Sequence, residues 1–334
     1  MKTTRHLFPR LVAPGFLEAA AATAARGKRR RSDVAEFLCR DIEEIDHLRA
    51  ELIAGRWAPA TATLRRVRDP KPRLIVAAPF VDRVVHTALV ELMEPAFLPG
   101  CIDTDWACRG GLGTHRAVMA LSLAMRRYRY VVHLDIRAYF PSIDRAILRR
   151  LIACRIMDAS FLAVVDRILD AAHGLYADPR VRAWLRLPES FGPERGIPVG
   201  AHTSQFWATH VYLQGLDHHV KRVMKVPYYG RYVDDFFLFG DRRGELREQV
   251  QAVTEWLWYE RALYLKYPNA PILPCAGPLD ALGYRIRRDG WSALPVRFRK
   301  LRAQVHAALG TPDDPEAEVK MQASLQGILA TLLF

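Results

Sequence analysis

The sequence predicts an α+β fold, and three observations carry that expectation. Apolar residues recur at helical spacing in several long segments, and short apolar runs stand in pairs around turn residues. Strands and helices do not alternate one for one, as a doubly wound parallel sheet requires. The chain has 334 residues, half of them hydrophobic, which excludes a disordered chain and gives length for two or three packed parts. Lys and Arg number 49 against 36 Asp and Glu, a net charge of +13 that suits a polyanionic partner. Cys39, Cys101, Cys108, Cys154 and Cys275 make an odd number with no close pair, so neither a disulfide framework nor a zinc ribbon fits, and a cytoplasmic location is expected.

The first apolar stretch, Leu11 to Ala25, follows Arg5 and Arg10 as a signal peptide does, but Glu18 interrupts it and Pro14 and Gly15 break it. No apolar run approaches the roughly 18 residues of a membrane helix, so no membrane partner is expected. After the basic run Lys28 to Arg31, Asp33-Val34-Ala35-Glu36 has the spacing of a capping box with Asp33 as cap. Val34, Phe37, Leu38, Ile42, Ile45, Leu48 and Leu52 then mark one face of a helix ending near Gly55. Thr63 to Arg68 and Arg73 to Ala77 read as strands joined by the turn Asp69-Pro70-Lys71-Pro72, a basic hairpin. Phe80 to Met93 reads as a helix and Tyr130 to Asp135 as a buried strand. Helical spacing returns at Ile143 to Ile152, Phe161 to Ala172 and Ser204 to Val223. Tyr228 to Gly240 has the pattern of a β-hairpin with Tyr232-Val233-Asp234-Asp235 at its tip. A helix over about Glu245 to Leu263, a strand pair Leu279 to Ile286 and Trp291 to Leu294, and two further helices complete the chain.

Asp135 ends an otherwise apolar strand, and Asp234 and Asp235 stand where a second strand turns. A carboxylate in such a place is costly to bury unless it is paired or holds a cation. Three of them together repel one another unless divalent ions neutralise them, the arrangement of two-metal phosphoryl transfer. The plainer alternative is that Asp234 and Asp235 only close a turn. Lys71 and Arg73 have the chemistry to clamp triphosphate oxygens, or are ordinary turn cations. His210, His218 and His219 lack a ligand constellation, and Trp256, Trp258 and Tyr259 read as core that could stack bases only if exposed.

The order and company of these motifs resemble a reverse transcriptase. Leu134-Asp135-Ile136-Arg137-Ala138-Tyr139-Phe140 resembles the first palm motif of that family, and Gly196-Ile197-Pro198-Val199-Gly200 through Ser204-Gln205 its Pro, any, Gly motif at a helix start. Tyr232-Val233-Asp234-Asp235 matches its third motif, Leu282-Gly283-Tyr284 resembles its primer-grip hairpin, and Lys71-Pro72-Arg73-Leu74-Ile75 its fingers hairpin. Phe80 to Val85 is similar to the helix that follows in bacterial members. Ser204-Gln205, Val199 before Gly200, Ala107-Cys108-Arg109 through His115, and Pro141 to Asp144 are similar to the enzymes of diversity-generating retroelements.

The resemblance implies a right-hand polymerase with an N-terminal extension and fingers over 1–125, a palm over 126–285 with a finger-type insertion near 155–195, and a short or cut-off helical thumb over 286–334. It implies RNA-directed DNA synthesis, error-prone at template adenines. Two Mg²⁺, replaceable by Mn²⁺, would be held by Asp135, Asp234 and the Ile136 carbonyl with Asp235 close by. Lys71, Arg73, Phe140, Val199, Gly200 and Gln205 would meet the nucleotide, Phe140 as the gate against a 2′-hydroxyl. Leu282, Gly283, Tyr284, Arg297, Arg299, Lys300 and Arg302 would meet primer and template, although salt-bridged surface accounts for the last four equally well. Template RNA, primer or cDNA, deoxynucleoside triphosphates and a small basic accessory protein are the implied partners. A Lys common after the third motif is displaced here, and Lys266 is assigned no role. Defence-associated or group II intron-like bacterial enzymes, an RNA polymerase, and a nucleic-acid-binding scaffold without catalysis are the alternatives.

Overall fold

A computed structural model describes residues 3–68, 71–189 and 191–296 of the chain. The expected last two helices, with Arg297, Arg299, Lys300 and Arg302, lie outside the described residues, as do Asp69 and Pro70 of the first turn. Helices and antiparallel sheets are mixed, as the α+β reading requires. The chain divides into two compact units that interleave in sequence. One takes residues to Ile102, Ile136–Val223 and Val253–Lys266, and the other Asp103–Asp135, Met224–Ala252 and residues from Tyr267 on.

The first unit is mainly helical. The N-terminal segment forms helices Leu7–Leu11 and Phe16–Ala25, and the second lays Leu17, Ala20, Ala21 and Ala25 against the long helix Phe80–Phe97. The helix expected from Asp33 to Gly55 is two helices, Ser32–Cys39 and Asp41–Ile53, because Arg40 leaves helical geometry at φ −130° and ψ 28°. Asp33 does not cap. Its carboxylate is engaged by Arg31 and Arg83, and the N-cap position falls on Arg31. The strands β1 (Thr63–Arg68) and β2 (Pro72–Ala77) pair as an antiparallel two-stranded ribbon, and β2 also bridges to Val199 at Ile75. The expected helix Ser204 to Val223 is a mixture of α and π turns, with π geometry over Trp207–Tyr212 and His219–Val223. A bulky buried set, Trp207, Val211 and Tyr212, crowds this segment, and its Ala208 carbonyl accepts the Tyr139 hydroxyl at 2.6 Å.

The second unit is built on a four-stranded antiparallel sheet in the order β4-β5-β3-β6, where β3 is Tyr130–Asp135, β4 Tyr228–Tyr232, β5 Asp235–Gly240 and β6 Ile272–Pro274. A second sheet holds β7 (Leu279–Ala281), β8 (Tyr284–Arg287) and β9 (Gly290–Ala293). The expected continuous strand from Leu279 to Ile286 is therefore a hairpin. Leu282 and Gly283 both take positive φ, 54° and 82°, and turn the chain in two residues. Helix Thr114–Arg127, which the sequence reading passed over, buries Val118, Leu121 and Met125 in one core with Val131, Phe237, Phe239, Tyr284 and Ile286. Among the described residues no helix is long and apolar enough to cross a membrane.

Candidate active site

Asp135 and Asp235 lie in one sheet of the second unit, and Asp234 in the turn between its strands β4 and β5. Alternation along β3 and β5 decides where they point. Val132 and Leu134 face one side with Phe236 and Leu238, while Val131, His133 and Asp135 face the other with Phe239, Phe237 and Asp235. Antiparallel register sets Asp135 directly opposite Asp235, and Asp235 opposite Tyr232 of β4, so Tyr232, Asp235 and Asp135 form one row across three strands. The next row is Gly230, Phe237 and His133. Residues paired in this way have Cα atoms roughly 4.5–5.5 Å apart, and like charges so placed destabilise the sheet unless something neutralises them. All three acids are half-buried, while Phe236 to Phe239 behind them are fully buried.

His133 engages one of these carboxylates by a hydrogen bond. Its Nε2–H donates to Asp235 Oδ1 at 2.6 Å, and its ring is stacked on Phe237 with centroids 4.7 Å apart and planes at 13°. This orients one carboxylate, and the oxygen-only donor set of Asp135, Asp234 and Asp235 fits a divalent cation such as Mg²⁺ better than a soft metal. Further along the same face, burial beside Tyr128 pushes the Tyr228 hydroxyl up to about 12, so that ring carries no charge at working pH.

Asp234 is presented by a strained turn. Tyr232 pairs with Asp235, leaving Val233 and Asp234 as the two-residue loop, and Val233 takes φ 56°. Favoured turns of this length put Gly or Asn where φ is positive, and a β-branched residue there costs about 1–3 kcal/mol. Arg231, buried in β4, reaches over the turn. Its Nη1 donates to the Val233 carbonyl at 3.1 Å and its Nη2 pairs with Asp105 Oδ2 at 3.0 Å. Asp105 is held in turn by a short parallel pairing along the edge of β4. Arg231 N–H donates to the Thr104 carbonyl at 2.8 Å, Trp106 N–H to the Arg231 carbonyl at 3.1 Å, and Thr104 Oγ1 to the Tyr229 carbonyl at 2.7 Å. Trp106 lies flush on Gly230, where a Cβ would come within 2.1 Å of its ring. Thr114 Oγ1 donates to the Tyr232 hydroxyl at 3.0 Å.

His133, Arg231 and Asp105 were missed from sequence. A charged residue inside the apolar run before the tip was a usable signal for Arg231. Nothing in the sequence points to Asp105, whose partner lies far along the chain.

The other expected residues fall as follows. In the first unit, Lys71 and Arg73 are exposed on the ribbon, whose Arg66 and Arg68 lie 5.8 and 4.9 Å from the Trp184 ring. Val199 is joined to β2, its carbonyl accepting Val76 N–H at 2.8 Å, and Gly200 at φ 113° passes so close that a Cβ would sit 3.0 Å from the Val76 carbonyl. Gln205 is exposed in the first turn of helix His202–Phe206. Tyr139 is core, whereas Phe140 is half-buried. Ile136 pairs with Leu265, and Arg137 N–H donates to the Tyr264 carbonyl at 2.9 Å, so the segment carrying Lys266 is fastened to the residues that follow Asp135 in sequence. In the second unit, Leu282 is half-buried, while Tyr284 is 1% exposed with its hydroxyl 3.1 Å from His115 Nε2. Back in the first unit, Trp258 and Tyr259 are exposed at 45% and 79%, not core, because Leu246, Val250, Val253 and Leu257 take the buried side of helix Arg243–Arg261.

No protein-family model matches the chain. The chain is similar to Protein YkfC of Escherichia coli (strain K12), 28% identical over 255 residues, or 70% of this chain. The match spans 59% of that protein's length. That name does not describe a reverse transcriptase. The resemblance to reverse transcriptases is accordingly withdrawn as a family assignment, and with it the retroelement subtype, its adenine misincorporation and its small accessory protein. The physical reason is that each motif is a short local solution. A tetrad closing a two-residue turn and a Pro-Gly stretch before a helix report local backbone geometry, and they carry no record of descent.

Proposed function

We propose that the chain is a metal-dependent nucleotidyltransferase, an RNA-directed DNA polymerase that extends a primer with deoxynucleotides. The observation that carries the reading is the direct opposition of Asp135 and Asp235 on neighbouring strands with Asp234 on the strained turn beside them. Facing carboxylates at the end of a largely apolar sheet repel one another, and a divalent cation held between them would relieve that repulsion. Asp135, Asp234 and the Ile136 carbonyl would hold two Mg²⁺, with Asp235 close by and Mn²⁺ able to substitute. When bound, such ions lower the pKa of an attacking hydroxyl and stabilise a leaving pyrophosphate.

The residues of the chain supply the rest. His133 keeps Asp235 in one orientation, and the turn at Val233 fixes the direction in which Asp234 leaves the sheet. In this reading the β4-β5-β3-β6 sheet is the palm of a right-hand polymerase and the β1–β2 ribbon belongs to the fingers, while the expected thumb over 286–334 falls mostly outside the described residues. Lys71 and Arg73 would bind triphosphate oxygens, and Phe140 would exclude a 2′-hydroxyl by bulk and by offering no hydrogen-bond partner. Template RNA, primer and deoxynucleoside triphosphates are the partners this requires, and the net charge of +13 suits them. The test is extension of a labelled DNA primer on an RNA template by the purified chain with Mg²⁺. Template-dependent extension that EDTA abolishes is expected. RNA retention without extension would overturn the assignment and leave a binding protein.

A further inference from the structure

The pair Arg231 and Asp105 is buried without remainder, both side chains at 0% exposure. Such a pair is poor as a source of stability, because desolvating two charges offsets most of their attraction and apolar residues of similar volume often serve as well. Its geometry points to another use. A guanidinium is a planar fork that can hold two acceptors at a fixed angle, and Arg231 spends its two ends on the Asp105 carboxylate and the Val233 carbonyl. Val233 holds the left-handed conformation from which Asp234 is presented. Asp105 is in turn fixed by the pairing of Thr104 and Trp106 along β4 and by the Trp106 ring seated on Gly230. The clasp therefore runs from the sheet edge through one side chain to the peptide next to Asp234. It works from the face opposite that of Asp135 and Asp235, since Arg231 and Tyr232 alternate along β4.

We propose that Arg231, anchored by Asp105, is a positioning residue that holds the Val233 carbonyl and thereby sets the pose of Asp234 toward a divalent cation. The inference rests on the reading of these acids as cation ligands. It explains why a charged residue is kept in a strand that is otherwise apolar, and why a non-glycine residue can occupy the turn.

The test compares the full-length chain with Arg231→Lys, which keeps the charge but not the fork, and with the double variant Arg231→Met/Asp105→Leu. The double variant removes both buried charges together, so it leaves neither one unpaired and keeps the fold. Thermal unfolding, amide hydrogen exchange over residues 230–236 and Mn²⁺ binding by electron paramagnetic resonance are read on each. The double variant is expected to melt near the wild type, to exchange faster at the turn, and to bind Mn²⁺ about 10- to 100-fold more weakly, the usual range when a partner of a metal ligand is lost. Arg231→Lys should show the same two defects in milder form. Unchanged exchange at the turn in the folded double variant overturns the proposal, and so does faster exchange with unchanged Mn²⁺ affinity. If the wild type itself binds no Mn²⁺ at these acids, the polymerase reading has failed, which is distinguishable because the clasp is judged only against a wild type that binds.

Discussion

Two hairpins of this chain show how differently a β-turn can be specified. In β1–β2 every residue of β1 is exposed, β2 is joined by one further bridge to Val199, and the sequence of the connection carries Pro and charged residues suited to a turn. In β4–β5 the strands are buried in a four-stranded sheet, and the two-residue loop is held by a side chain anchored at the sheet edge. The first hairpin spends its side chains on charge facing water. The second spends them on fixing one acidic residue. A change in the first should alter what the protein binds and leave stability alone, whereas changes in the second should reach chemistry at its tip and stability where its strands are packed.

The largest expected effect is at the tip of the buried hairpin. Asp234→Asn keeps shape and removes charge, so primer extension should fall at least about a hundredfold, with thermal unfolding unchanged. Near wild-type extension would mean the tip is only a turn. Next is Phe140→Ala, which should raise ribonucleotide use about tenfold or more, read as the ratio of kcat/KM for deoxy- over ribonucleotide on one template. Tyr139→Ala should leave that ratio alone and instead cost stability, because that ring is buried and its hydroxyl bonds to Ala208. A collapse of the ratio in Tyr139→Ala alone would assign the gate to the wrong ring.

Gly230→Ala drives a methyl group into the Trp106 ring and should destabilise the fold by about 1–3 kcal/mol in denaturant titration. An unaffected midpoint would mean that Trp106 does not brace the edge of β4. The smallest expected effect belongs to the exposed hairpin. Lys71→Ala with Arg73→Ala should leave stability within about 0.5 kcal/mol. It should reduce the salt dependence of single-stranded RNA binding by about 0.7 in log-log slope for each phosphate that the two cations neutralise. A marked drop in stability there would erase the contrast between the hairpins.

What could be read from sequence follows the same division. The strand Tyr130 to Asp135 and the tip Tyr232 to Asp235 were legible because burial writes an apolar run and a carboxylate at its end stands out. The basic ribbon was legible from its turn chemistry. Arg40, where one expected helix becomes two, gives no local signal, since the break is one residue wide inside a continuous apolar pattern. The turn at Leu282-Gly283 was legible only through its resemblance to a hairpin motif, because the strand pattern runs through it and its Leu takes a conformation that sequence rules reserve for Gly or Asn. Asp105 was invisible for a different reason. Its role exists only through Arg231, and pairing between distant segments leaves no periodicity in either one.

The account stands on the claim that the row of acids is a cation site, and Mn²⁺ binding tests it most directly. Equilibrium titration of the wild type with Mn²⁺ in the presence of a deoxynucleoside triphosphate should show protein-bound ions that Asp135→Asn and Asp234→Asn each remove while the protein stays folded. Equal Mn²⁺ binding by wild type and both variants would contradict it.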